Sequence, residues 1–139
     1  MGPFSISFVP VSHSIPESSG LIIETKLGKV FHTGDFKLDR TPILGDPFDP
    51  GLWTAACHNL DVLVCDSTNV LVTQSAKSEK SLKKHLVDLI KSQTGMVIAT
   101  TFASNIARLK TLADAAIAAD RSIVLLGRAM RRMIELGLE

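Results

Sequence analysis

The apolar rhythm of the chain changes once, near Ser67, and that change limits what it can fold into. Before it, the apolar residues fall in short runs suited to strands. "FSISFV" (Phe4–Val9) alternates apolar and polar residues, the period of a half-buried strand. "LIIET" and "KVFHT" flank "KLGK", which predicts a hairpin over Leu21–Thr33 with Gly28 taking a positive φ. "LDVLVCD" (Leu60–Asp66) reads as a buried strand that ends in a carboxylate, with Cys65 a buried free thiol. Arg40–Gly51 holds three prolines and two glycines and predicts a loop, and "LWTAACHN" a short helix.

After Ser67 helical spacing takes over. "SEKSLKKHLVDLIKS" places Leu82, Leu86, Leu89 and Ile90 on one stripe, with Ser75 or Ser78 as N-cap and Gly95 beyond the end. "SNIARLKTLADAAIAAD" predicts a helix capped by Ser104, with Ile106, Leu109, Ala113, Ala116 and Ile117 inward. "MVIAT" and "SIVLLG" read as strands, and "RAMRRMIELG" opens a further helix. Strands alternating with helices predict a parallel α/β sheet. The expected division is therefore a β-rich part over 1–66 and an α/β part over 67–139.

Charge follows the same division. Residues 1–66 carry four Lys/Arg against eight Asp/Glu, whereas the remainder carry eleven against six. An acidic half joined to a basic half suits a cation site beside an anion-binding surface, although uneven solvated surface gives the same totals. Cys57 and Cys65 show no CxxC spacing, which fits a reducing cytoplasm. The first residues lack a basic, then apolar, secretory pattern, and no apolar run approaches the roughly 20 residues of a membrane span. No membrane partner is expected.

His13 lies in a polar loop, and Asp35 follows Gly34 at a strand end. Taken singly, the first is an ordinary surface histidine and the second a turn-capping aspartate. Loop, hairpin and strand end return the chain on itself, so the two can share one sheet edge. An imidazole and a carboxylate there suit zinc or manganese. By strand alternation His32 faces away from Asp35 and is structural, while His58 and His85 are solvated. Arg128, Arg131 and Arg132 at a helix start suit phosphate contact or a solvated face equally. The Gly-x4-Gly-Lys spacing of a phosphate loop is missing.

The blocks "PVSHSIPESSGLII", "GKVFHTGDFKLDRTP", "LVCDSTN", "TFASNIARL" and "LLGRAM", in that order, resemble the metallo-β-lactamase-fold nucleases of the β-CASP group, the bacterial ribonuclease J type above all. The resemblance implies an α/β fold: a partial metallo-β-lactamase β-layer followed by part of a β-CASP parallel α/β unit. It implies that His13 and Asp35 are metal ligands and catalytic, with Asp35 bridging two zinc ions. Asp66 is then the first acidic motif of the β-CASP insertion, and Ser104, Asn105, Arg108 and Arg128 face RNA. The family's His-x-His-x-Asp-His cluster occurs nowhere in these 139 residues, and Ala107 stands where the family usually has His or Tyr. The expectation is an internal fragment of a metal-dependent ribonuclease with exo- and endonuclease action, inactive alone and weak or empty in zinc. A non-catalytic RNA-binding or self-associating module, and a small-molecule metallo-hydrolase of the same fold, are the alternatives. A fragment lacking its partner sheet leaves Ile6, Phe8, Ile22, Val30 and Phe31 in need of cover, which predicts a homo-oligomer.

Overall fold

The computed structural model describes residues 2–15, 17–73 and 78–136 and divides into two compact units. The first holds most residues up to Ala76, and the second Thr41–Leu44 with the chain from Lys77 onward. Ser75, one of the two expected N-caps, lies outside the described residues.

The first unit is a four-stranded mixed sheet in the order β1-β2-β3-β4. Strands β1 (Ser5–Pro10), β2 (Ser19–Thr25) and β3 (Gly28–His32) are antiparallel, and β4 (Val62–Val64) runs parallel to β3. The predicted hairpin forms with Thr25 opposite Gly28. Gly28 has φ +154°, and a Cβ there would stand 2.8 Å from Asp61 Oδ2. The same oxygen accepts the Lys29 amide at 2.7 Å, so only glycine leaves room for this cross-link.

One face of this sheet is covered. Val9, Ile22 and Phe31 are buried beneath Trp53, Ala56, Cys57 and Leu60. Trp53 comes from helix α1 (Pro50–Ala56), whose first two residues lie inside the stretch expected to be loop. Asp49 caps it by accepting from the Gly51 and Leu52 amides at 2.8 and 3.2 Å, and Pro50 fits the first turn because its missing N–H is not needed there. The indole meets the rings of Phe31, Phe36 and Phe48 at centroid distances of 5.5, 5.2 and 5.4 Å. Burying Phe31 completely contributes about 1.5–3 kcal/mol relative to exposure.

The opposite face is open. The register sets Ile6 beside Ile23, Phe8 beside Leu21, Val30 beside Val62, and His32 beside Val64. Phe8 is 72% exposed and Val62 49%. This corrects the expectation that Ile22 and Phe31 lack cover. Strand alternation sends them to the face beneath α1, while Ile6, Phe8 and Val30 point the other way. It also corrects the reading of Leu60–Asp66 as buried. β4 is an edge strand exposed at all three residues, and Cys65 is exposed with it.

The second unit is helical. A 3-10 turn at Glu79–Ser81 leads into α2 (Leu82–Lys91); α3 (Ile106–Ala118) and α4 (Arg128–Leu136) follow. On α2, Ile90 is buried and Leu82 and Leu86 are half-buried, but Leu89 is 57% exposed and falls outside the expected stripe. On α3 the buried line is Ala107, Thr111 and Ala115, at i, i+4 and i+8, with Leu109 beside it. Ile117, expected inward, is 69% exposed. α3 packs against α2, and Ala113 and Ala116 of the expected stripe are only half-buried.

Met96–Thr100 and Ser122–Gly127, expected as strands, form no ladder among the described residues. They nevertheless lie together. Arg121 donates to the carbonyls of Gly95, at 3.2 Å, and Gln93. Val97, Val124, Leu109, Leu112 and Ile134 line a shared cavity of about 530 Å³. A strand is defined by its neighbour's hydrogen bonds, and these apolar segments lack that neighbour here.

Candidate functional site

The sheet unit brings three of the expected residues to one end. Because β3 and β4 are parallel, their carboxyl ends lie side by side, and Asp35 and Asp66 follow them. In open sheets with parallel strands, ligands gather beyond such ends. The loop carrying His13 joins them through an isolated bridge between Ser12 and Lys37, closed by the Lys37 amide donating to the Ser12 carbonyl at 2.7 Å. The bridge brings the backbone next to His13 close to the backbone that follows Asp35.

Gly34 makes the turn between β3 and Asp35. Its φ of +61° is in the left-handed region, which glycine enters without a Cβ clash. Its amide donates to His32 Nδ1 at 3.2 Å, and its carbonyl accepts from Thr33 Oγ1 at 2.7 Å. Asp35 itself is exposed and His13 half-buried.

Asp66 closes a side-chain turn of its own. Its Oδ1 accepts from the Thr68 hydroxyl at 2.6 Å and the Thr68 amide at 2.8 Å. These bonds, the hydroxyl first, hold its pKa below the usual aspartate value; partial burial opposes them, and the positive field of His13 adds to them. At neutral pH Asp66 is a carboxylate. The two carboxylates and one imidazole are the right chemical types for a hard or borderline cation. Among the described residues, however, no three His, Cys, Asp or Glu side chains converge closely enough to hold a metal ion. The donor set of this chain does not by itself fit a dinuclear zinc centre.

The remaining candidates belong to the helical unit. Asn105, not Ser104, caps α3. Its side chain accepts the Arg108 amide at 2.9 Å, because Asn105 is the last residue before helical geometry begins. Ser104 is exposed. Arg108 forms a two-point ion pair with Glu79, from Nε to Oε1 and from NH2 to Oε2, the latter at 3.1 Å. The Glu79 side chain is 8% exposed. Hydrogen bonding to that carboxylate raises the Arg108 pKa further above its ordinary value. Sequence reading singled out Arg108 for RNA and missed Glu79. A glutamate three residues before a helical run looks like an ordinary solvated residue, and only the fold shows it buried. Arg128 is exposed at the start of α4, where Arg128, Arg131 and Arg132 surround an open pocket with Gly127. The Arg131 guanidinium is partly occupied, donating to the Leu125 carbonyl at 3.3 Å.

The chain is therefore an α/β chain in which acids follow two parallel strand ends and a helical part carries a basic helix start. Its residues 94–139 match the family model described as the β-CASP domain of ribonuclease J. The likeness to ribonuclease J extends over nearly the whole chain. It is 43% identical over 136 residues to ribonuclease J of Sinorhizobium meliloti, covering 97% of this chain and 24% of that protein. It is 42% identical to the Corynebacterium glutamicum enzyme, covering 97% and 19%. Identity to the Helicobacter pylori J99 enzyme is 36%, covering 100% and 20%. The chain thus spans about a quarter or less of the length of these relatives. In fold, it resembles a crystal structure of a protein of unknown function from Enterococcus faecalis V583, with a TM-score of 0.56 and 19% identity, covering 93% of this chain and 37% of that one. No helix among the described residues is long and apolar enough to cross a membrane.

Proposed function

We propose that the chain is a segment of a metal-dependent ribonuclease of the ribonuclease J type, working in the cytoplasm on RNA. Residues 1–66 correspond in this reading to the C-terminal portion of a metallo-β-lactamase-type core, and 67–139 to the N-terminal portion of a β-CASP domain. The observation that carries it is the 43% identity running through both units, with the acids of both motifs set at adjacent strand ends. Asp35 and His13 are the chain's contribution to a metal centre whose other donors are not among these residues. Zinc is the family's metal by resemblance. Asp66 stays ionised, and Ser104, Asn105, Arg108 and Arg128 lie on the RNA side, with Arg128 an exposed cation for a phosphate. Alone, the chain has little or no hydrolytic activity, since metal affinity rests on ligand number and geometry.

A second reading, a non-catalytic RNA-binding module, draws on the excess of eleven Lys/Arg over six Asp/Glu after residue 66. The exposed Ile6 and Phe8 on the open face support self-association in either reading. The small-molecule hydrolase is set aside because residues 94–139 match the β-CASP family.

Two measurements test the proposal. Metal analysis after chelator-free purification is expected to give well under one ion per chain, and about two ions would overturn the incomplete-site argument. Single-stranded RNA followed by fluorescence anisotropy is expected to bind with a salt dependence that falls by about one unit of slope in Arg128→Ala. Absence of binding at low salt removes the RNA reading.

A further inference from the structure

The Thr33 side chain joins the two acid-bearing strand ends, and no motif marks it for that task. Thr33 is fully buried at the end of β3. Its amide donates to the Val64 carbonyl at 2.9 Å, extending the β3–β4 ladder by one step. Its hydroxyl donates to the Gly34 carbonyl at 2.7 Å and accepts the Asp66 amide at 3.3 Å. A hydroxyl has one proton to give and can accept in return, and both capacities are used here.

The position of these bonds matters more than their number. The Gly34 carbonyl belongs to the peptide that leads into Asp35, so holding it orients the backbone of that aspartate. The Asp66 amide leads into the other aspartate. On the far side, His32 Nδ1 takes the Gly34 N–H, so that glycine, free to turn in either sense, is gripped at both of its polar groups. We infer that Thr33 is a positioning residue: through a single buried hydroxyl it ties the Asp35 turn on β3 to Asp66 on β4 and sets the two acids in fixed relation. The tie follows from this geometry alone. That it serves a catalytic centre rests on the ribonuclease reading above.

The test uses the unmodified chain and two substitutions. Thr33→Val keeps shape and removes the hydroxyl. Thr33→Ser keeps the hydroxyl and removes a methyl group. Backbone amide shifts and hydrogen exchange are read by NMR at Asp35 and Asp66, with Glu24 on β2 as reference. The expected result is that Thr33→Val moves both amides and speeds Asp66 exchange at least tenfold, while Glu24 is unchanged and Thr33→Ser restores the parent values. A merely space-filling role predicts the opposite ranking, with serine the worse substitute, and that ranking overturns the inference. So does Thr33→Val with unchanged Asp66 exchange. Should the valine variant not fold, Thr33→Cys, similar in size and a far weaker hydrogen-bonding group, takes its place under the same criteria. Single-stranded RNA added to the unmodified chain separates the two readings. Absence of binding at low salt removes the ribonuclease reading and leaves the tie standing.

Discussion

Replacing Arg108 by alanine is expected to destabilise the helical unit well beyond an ordinary surface change. The Glu79 side chain is 8% exposed and the Arg108 side chain 35%. Arginine meets the carboxylate at both oxygens, a fork that no other side chain reproduces. Removing one partner of a fully buried pair costs about 3–5 kcal/mol, because the other charge stays behind without water. Here a third of the arginine already faces solvent, so water reaches the vacated space and the expected loss falls to about 2–3 kcal/mol. For a unit of this size that corresponds to roughly 8–24 °C in Tm. Arg108→Lys keeps the charge and loses the fork, and should cost about half as much. The assay separates the units spectroscopically. Helical circular dichroism reports mostly α2, α3 and α4, whereas Trp53, the single tryptophan, sits in the sheet unit. Urea unfolding of Arg108→Ala should shift the helical signal and leave the Trp53 transition in place. A double cycle with Glu79→Ala should return a coupling above about 1 kcal/mol. A loss below about 0.5 kcal/mol for Arg108→Ala would refute the claim that Glu79 depends on this partner.

Gly28→Ala should cost about 1–3 kcal/mol in the Trp53 transition, since a Cβ at φ +154° meets the Asp61 carboxylate at 2.8 Å; Asp61→Ala in the same chain should recover part of it. Asp114 accepts from Lys83 at 3.1 Å and from Lys110 at 3.2 Å, and those bonds lower its pKa below the ordinary value of 3.8. Its contribution is therefore present above the unfolded pKa and is lost as pH falls through the lower folded one; a carboxyl titration by NMR with a midpoint at or above 3.8 contradicts this. Cys65, exposed at the edge strand, should react with a thiol reagent clearly faster than half-buried Cys57, as mass spectrometry of the labelled chain would show.

Much of the fold was legible because its signals are local. Alternation located β1, the glycine in "KLGK" located the hairpin turn, and the 3.6-residue period located α2 and α3. His13 and Asp35 were singled out from their neighbours in sequence and Asp66 from the family resemblance; the parallel pairing of β3 with β4 puts the strand ends that precede the two acids next to each other. What failed was part of the reading of cover, although Ile90 and Leu109 are buried as expected. Cys65 and Ile117 are apolar in sequence and exposed in the fold, while Glu79 is charged and buried.

The sequence by itself determined where β1, the hairpin and helices α2 and α3 form and their order, since each depends on a few adjacent residues, but not that Met96–Thr100 and Ser122–Gly127 would stay outside a ladder. The tertiary structure alone decided which sheet face α1 covers, that Arg108 answers Glu79, and that Thr33 links Asp35 to Asp66. Those outcomes join residues about 30 positions apart, and burial and hydrogen bonding across such distances exist only once the backbone has brought the partners together.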